Sequence, residues 1–196
     1  YQGIDLIVVD DKSTDNSLQI LKSFGEKITV LEHAQNKGQA AAINLALSRA
    51  KGQYIAILDS DDLWLPDKIK SQVDYLESHS DIGIVYGNGW AIDAEGKKIY
   101  PIYTDHKETN DPILVVLDCY VVLPNNSLFM RALLDKTGFF DESLRAAQDH
   151  DMAIRLAEIT KLSYINQDMF RYRRHSGSIS NNGALTRWRN GFTILN

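Results

Sequence analysis

The sequence predicts an α/β domain with a mostly parallel central sheet and helices on both faces. Four apolar runs, at Ile4–Val9, Ile28–Glu32, Tyr54–Leu58 and Ile82–Tyr86, are separated by segments carrying helix start and stop signals. Continuous apolar strands of this kind belong to parallel sheets covered on both sides. Two of the runs end in acids, Asp10-Asp11 and Asp59-Ser60-Asp61, and the carboxyl ends of strands are where open α/β sheets bind ligands. The 196 residues suffice for one domain with a real core. No internal repeat and no second-domain boundary is visible, so residues 1–196 read as a single domain.

The elements follow in order. Residues 4–10 read as the first strand. Ser13 or Thr14 offers a cap for a helix to about Phe24, with Gly25 as its stop. After the strand Ile28–Glu32, Asn36-Lys37-Gly38 turns into an Ala-rich helix reaching Ala50, with Gly52 past its end. Residues 54–59 form the third strand, and Pro66 sits in the first turn of a helix to about His79. Ile82–Tyr86 is the fourth strand. Trp90–Ile92 and Lys98–Tyr103 flank Asp93-Ala94-Glu95-Gly96 as a hairpin. Residues 111–123 are apolar and fit helix or strand. Asp149–Ile159 is a helix, Leu162–Ile165 a short strand, and Phe170–Ser180 a segment rich in Arg and His.

Bulk composition narrows the classes. A net charge of −5 implies no general polyanion-binding surface. The single cysteine, Cys119, has nothing to pair with, which excludes a disulfide framework, fits a reducing compartment and reads as a buried thiol. No apolar stretch approaches the roughly 20 residues that span a bilayer. The chain is already in its first apolar run by residue 4 and stops soon after Trp188 and Phe192. The expectation is therefore a domain cut at both ends.

Each candidate site has a plain structural alternative. Asp59 and Asp61 can hold Mg²⁺ or Mn²⁺ against a nucleotide diphosphate, because hard cations take carboxylate oxygens. The alternative is helix capping, a task open to Asp62 or Asp67. Asp10 and Asp11 can accept hydrogen bonds from a base or ribose, or serve a cap built on Ser13, Thr14 and Asp15. Lys37 and Gly38, with Asn44 six residues on, open a helix whose N-terminal amides favour anions; the alternative is an ordinary turn. Asp149, within Gln148-Asp149-His150-Asp151, is either a cap or a general base. Arg171, Arg173 and His175 alternate and so share a face if extended. That face suits a diphosphate, with His175 available to a metal.

Together these segments resemble family 2 glycosyltransferases, inverting enzymes with the nucleotide-diphospho-sugar transferase (GT-A) fold. The matching pieces are Val9–Asp15, Asn36-Lys37-Gly38 through Ala42-Ile43-Asn44, Leu58-Asp59-Ser60-Asp61-Asp62, Gly138–Glu142, Gln148–Asp151 with Arg155, and Tyr172–His175. The resemblance runs from residue 4 to about residue 180. It implies that Asp11 contacts the nucleobase, Asp61 the metal, Asp59 the ribose side and the metal, and His175 the metal or diphosphate. Asp149 is implied as the base that deprotonates the acceptor hydroxyl. A UDP-sugar donor, an Mn²⁺ or Mg²⁺ cofactor and a glycan or lipid-linked saccharide acceptor in cell-surface or extracellular glycan synthesis follow as expectations. A cytoplasmic location at the inner membrane face follows too, with Arg187, Trp188, Arg189 and Phe192 as candidate membrane contacts. The sequence departs from the family pattern at Lys12 (commonly Gly), Ile43 (commonly Arg) and Gln148 (frequently Glu). It also lacks a strand before residue 4 with a Pro-Thr-Tyr-Asn-like segment.

Two other classes share parts of the pattern. A response-regulator receiver also carries an Asp pair after its first strand and an Asp after its third, but it is shorter and needs a late Lys that is not evident here. A sugar-nucleotide pyrophosphorylase would need a Gly-rich basic loop after the first strand. A catalytically silent domain of the same fold would lose Asp61 or Asp149, and both are present. A Rossmann dehydrogenase is disfavoured because no Gly-x-Gly-x-x-Gly follows a strand.

Overall fold

The computed structural model of the chain describes residues 1–102, 116, 126–144 and 146–177. Strand β1 (Ile7–Asp10) and strand β2 (Thr29–Glu32) pair in parallel, Ile7 against Thr29 and Asp10 against Glu32. Helix α1 (Ser17–Ser23) makes the crossover between them, as parallel pairing requires. The first strand is shorter than expected, and α1 starts later than the Ser13/Thr14 cap predicts. The Ser13 N–H turns back to the Asp10 carboxylate instead, and Asn16 precedes α1 without a side-chain capping bond. Helix α2 (Gln39–Leu47) follows Gly38, whose φ of 94° with ψ of 168° lies where only glycine is at ease.

The second sheet has six strands in the order β3-β7-β5-β8-β4, with β6 also paired to β5. Its members are β3 (Tyr54–Ile55), β4 (Leu63–Trp64), β5 (Ile82–Ile92), β6 (Lys98–Ile102), β7 (Leu128–Met130) and β8 (Lys161–Arg173). Only β5–β8 is parallel; β3–β7, β5–β7, β5–β6 and β4–β8 are antiparallel. The expectation of a mostly parallel sheet is thus corrected to a mixed one, within the α/β class. The cause is local. Within the described residues, β4 follows β3 across the turn at residues 59–62 and β6 follows β5 on the hairpin around Gly96, neither through a helix.

Residues 82–92 form one strand, where the sequence suggested a short strand, a Gly87-Asn88-Gly89 break and a hairpin arm. Likewise Leu162–Ile165 is only the start of the 13-residue β8. The two surprises have one origin. β8 carries extra residues opposite Gly87, Asn88 and Gly89, and Met169 and Phe170 press onto the backbone there. A Cβ on Gly87 would lie 2.4 Å from Met169 Sδ, and one on Gly89 2.3 Å from Phe170 Cε1. Glycine in a strand interior often marks such an approach. The hairpin itself is as read: Ala91 faces Tyr100, and Gly96 turns at φ 89°.

Helices cover both faces of β5, following its alternation. Ile84 and Tyr86 face α2 and α5 (Gln148–Ala157), packing with Phe129, Met152 and Leu156. Val85 and Leu128 face Val73 and Leu76 of α3 (Lys68–Ser78). A short helix α4 (Leu134–Thr137) follows a 3₁₀ turn at Arg131–Leu133. Pro66 lies just outside α3. Between β7, which pairs with residues 84–85, and β6, which starts at Gly89, the β5 backbone needs side-chain partners. Asn126 Oδ1 accepts the Gly87 N–H at 2.9 Å, and the Gln72 amide reaches the Val85 carbonyl at 3.2 Å and the Asn126 carbonyl at 2.7 Å. Lys68, fully buried, donates to Gln72 at 2.7 Å, and burial pushes its amine down to about 7. The ambiguous run 111–123 (Val116 apart), with Cys119 and Tyr103, and residues 187–192 lie outside the described residues.

Gly89→Ala is expected to lower stability by about 1–3 kcal/mol through overpacking against Phe170. Urea denaturation checks this as a lower midpoint with unchanged slope.

Candidate active site

The acid turn is built from Asp59 to Asp62. The Asp62 N–H closes it on the Asp59 carbonyl at 3.1 Å. Asp62 is buried, and its Oδ1 accepts the Arg173 N–H at 2.6 Å, while Arg173 Nε donates to the Asp61 carbonyl at 2.9 Å. Arg173 Nη1 also spans to the carbonyls of Asp93 and Ala94 at 3.0 and 2.8 Å. Burial pushes the Asp62 carboxyl up to about 7. The Arg173 N–H opposes this, and the charges of Asp61 and Asp59 reinforce it. The capping task that the sequence offered Asp62 or Asp67 goes unfilled, since Asp67 stands before α3 without a side-chain capping bond. Asp62 instead fastens the turn to β8.

That fastening delivers His175. Leu63 and Trp64 pair with Arg171 and Phe170, Leu65 N–H reaches the Met169 carbonyl, and the strand emerges so that His175 Nε2 lies 2.9 Å from Asp61 Oδ2. Arg171 and Arg173, expected to share a face with His175, have backbone and carboxylate partners of their own. Arg171 bonds to the Phe170 carbonyl and pairs with Asp168, and Arg173 is the clamp just described. Asp59 Oδ1 accepts the Gln39 amide at 2.8 Å, and Gln39 Oε1 accepts the Gln148 amide at 2.8 Å. Among the described residues no three His, Cys, Asp or Glu side chains converge as a ready metal cage. Asp61 and His175 do converge. Mg²⁺-type sites are often completed by one or two carboxylates plus substrate phosphates, so the donor set fits a cation held jointly with a diphosphate.

The other acid pair divides its work. Asp10 is buried, and its carboxylate takes the Ser13 N–H at 3.3 Å. This closes a turn after β1 and is not the helix cap that the sequence suggested, since α1 begins only at Ser17. Asp11 Oδ1 meets His33 Nδ1 at 2.6 Å and the Lys37 N–H at 2.9 Å, and Oδ2 takes the Gly38 N–H at 2.7 Å. Burial works to raise the Asp11 carboxyl, but the Lys37 N–H, the His33 ring and the Gly38 N–H hold it below the usual carboxylate range. Asp11 therefore fixes the turn that starts α2. Asn44 ties the same helix to the segment after α4, bonding the Phe140 backbone on both sides at 2.9 Å.

Asp149 is the second residue of α5. Its carboxylate makes no hydrogen bond or ion pair among the described residues, whereas Asp151 is bound to Arg155, which also donates to the Thr137 carbonyl at 2.7 Å. One run of contacts thus joins Asp11, the Gly38 turn, Gln39, Asp59 and Gln148, next to Asp149. Sequence reasoning missed His33, Gln39 and the fastening role of Asp62. His33 had a signal, lying just past a strand at the same sheet edge as Asp10-Asp11; Gln39 had none.

A family model described as Glycosyl transferase family 2 matches residues 1–138. The chain is 28% identical over 192 residues to an uncharacterized glycosyltransferase of Rickettsia prowazekii, covering 92% of this chain and 58% of that protein. It is 30% identical over 200 residues to the glycosyltransferase GlyG of Streptococcus pneumoniae, covering 91% and 64%. The chain therefore spans about three-fifths of the length of these relatives. Among solved structures, a fragment of S. aureus TarS in complex with UDP-GlcNAc superposes with a TM-score of 0.74 at 23% identity, covering 89% of this chain and 50% of that one. The mannosyltransferase PcManGT of Pyrobaculum calidifontis, in complex with GDP-Man and Mn²⁺, gives 0.64 at 19% identity, covering 96% and 55%. These likenesses establish the GT-A fold.

Between the ordinary Asp value of 3.8 and about 7 the folded chain keeps the Asp62 proton that the unfolded chain has lost. Stability contributed below that interval is lost as pH rises through it. Asp62→Asn carries no such dependence, so its Tm relative to the unsubstituted chain is expected to climb across the interval. Parallel Tm curves would remove the assignment.

Proposed function

The chain belongs to glycosyl transferase family 2, and on that premise we propose that it moves a sugar from a nucleotide-diphospho-sugar to an acceptor hydroxyl with inversion at the anomeric carbon. The observation that carries this reading is the Asp149 carboxylate, without a partner among the described residues, whose neighbour Gln148 is tied through Gln39 to the turn that holds Asp59, Asp61 and, at 2.9 Å, His175. Asp149 takes the acceptor O–H proton as that oxygen bonds the anomeric carbon. The bond from that carbon to the diphosphate breaks, and the nucleoside diphosphate leaves with the electron pair. Asp61 and His175 would hold an Mn²⁺ or Mg²⁺ ion that supplies positive charge to the leaving diphosphate. Asp11 and the Lys37–Gly38 turn line the nucleotide side, and Asp59 the ribose side. Positioning and charge stabilisation supply most of the acceleration.

A UDP-sugar is the donor class we favour, in keeping with the UDP-GlcNAc bound by the TarS neighbour; GDP-Man in PcManGT is the natural comparison. The acceptor is proposed to be a glycan or lipid-linked saccharide at the inner membrane face. No helix among the described residues is long and apolar enough to cross a membrane.

Calorimetric titration of UDP, dTDP and GDP, with Mn²⁺ and with chelator, tests the donor side. Metal-dependent binding of one nucleotide is expected, and Asp61→Asn should lose the metal dependence. Asp149→Asn should keep nucleotide binding while cutting transfer by about a hundredfold or more, the range of general-base contributions. Unchanged turnover in that variant would sink the base assignment.

A further inference from the structure

We propose that Gln39 and Gln148 form a directed positioning relay that sets the general base Asp149 against the Asp59–Asp61 turn. The proposal rests on the reaction just described and concerns two residues that carry no chemistry themselves. Its basis is hydrogen-bond polarity. An ionised carboxylate only accepts, so Asp59 Oδ1 must face the Gln39 amide nitrogen, at 2.8 Å. Gln39 Oε1 is thereby turned toward residue 148 and needs a donor, which Gln148 Nε2 supplies at 2.8 Å. Polarity thus runs one way, from Asp59 through Gln39 to the start of α5.

Gln148 Oε1 bears the consequence. The residue is 6% exposed and this oxygen has no partner among the described residues, an unfavourable state for a buried polar atom. Turning the amide over would recover nothing, because it would set oxygen against the Gln39 oxygen. A carboxylate at 148 would do the same. The relay therefore accounts for Gln148 standing where a Glu is frequent in the resembling family.

Both ends of the relay sit on helix starts that need holding. Gln148 is the first residue of α5 and Asp149 the second, so a shift of one moves the other. The residue before them, Ala147, lies at φ 64° and ψ 15°, a left-handed conformation unfavourable for a non-glycine residue. This joint does not hold itself, and a side-chain tie from α2 holds it from outside. Gln39 in turn opens α2 directly after the Lys37–Gly38 turn that Asp11 fixes. With Lys37, Gly38 and Glu142, the two glutamines line an open cleft between the helix starts.

The test uses Gln148→Leu, Gln39→Leu and the near-isosteric Gln148→Glu, each checked for folding by thermal melting. Release of nucleoside diphosphate from UDP-GlcNAc, UDP-glucose and GDP-mannose gives kcat against pH, and calorimetry gives nucleotide affinity. Both leucine variants are expected to lose about 10- to 100-fold in kcat, the scale of a roughly 1 Å misplacement, and Gln148→Leu to keep its nucleotide affinity. Gln148→Glu should be impaired while the introduced carboxyl is ionised. It should recover toward the unsubstituted rate at the same pH as that carboxyl gains a proton, because the protonated form again donates to Gln39. Unaltered kcat in both leucine variants, or a Gln148→Glu rate ratio flat in pH, would overturn the relay and leave the reaction standing. Failure of the unsubstituted chain to act on any donor would instead overturn the reaction and the relay with it.

Discussion

The site depends on a reciprocal stitch between the acid turn and the last strand. Asp62 gives a carboxylate oxygen to the Arg173 backbone, and the Arg173 side chain gives its Nε–H to the Asp61 carbonyl. Two segments distant in sequence each hold the other's backbone, so neither the turn nor the strand end can slide alone. β4 then pairs with β8 in fixed register, and His175 arrives beside Asp61. A buried carboxyl with one oxygen unpaired is poor stabilisation in its own right. What it fixes is register: moving β8 by one residue would present the opposite face and carry the His175 side chain away.

The strand that ends in this stitch is shaped further back. Extra residues in β8 opposite Gly87 to Gly89 bend it, and the glycines give Met169 and Phe170 room to cross. The same interval of β5 lacks a full strand partner on its other edge, between β7 and β6. Asn126 and Gln72 bond the β5 backbone there, and Lys68 in turn donates to Gln72. A buried lysine without a carboxylate is costly, and its lowered affinity for a proton is the expression of that cost. Lys68 nonetheless holds the Gln72 amide in the orientation in which its nitrogen meets the Val85 and Asn126 carbonyls.

Much of the chain was legible as sequence. The apolar runs and their punctuation located α1 to α3, β1, β2, the hairpin and α5, because burial and local backbone preference act within a few residues. The strand-end rule found both acid clusters for the same reason. Sheet pairing was not legible: the antiparallel pairing of β7 with β3 and with β5 depends on contacts between distant segments. Gly87-Asn88-Gly89 looked like a break because glycine punctuates loops far more often than it admits a crossing side chain. The division of work within each acid cluster was also hidden, since Asp10 and Asp11, or Asp61 and Asp62, differ only in which way the folded backbone points them.

Several of these acids hold backbone in place: Asp10 braces its own turn, Asp11 fixes the turn before α2 and Asp62 stitches strand to turn, while Asp151 binds Arg155. Asp62, raised to about 7 by burial, is partly neutral at physiological pH, so the acid turn carries between two and three negative charges. That charge opposes an incoming diphosphate. The Arg173 side chain, which reaches the turn from β8, is already engaged by the carbonyls of Asp61, Asp93 and Ala94. The charge that balances an anionic ligand must therefore come from elsewhere than Arg173. On the reaction proposed above, a turn this acidic would suit a ligand that arrives with a divalent ion, because the ion would turn like-charge repulsion into shared coordination.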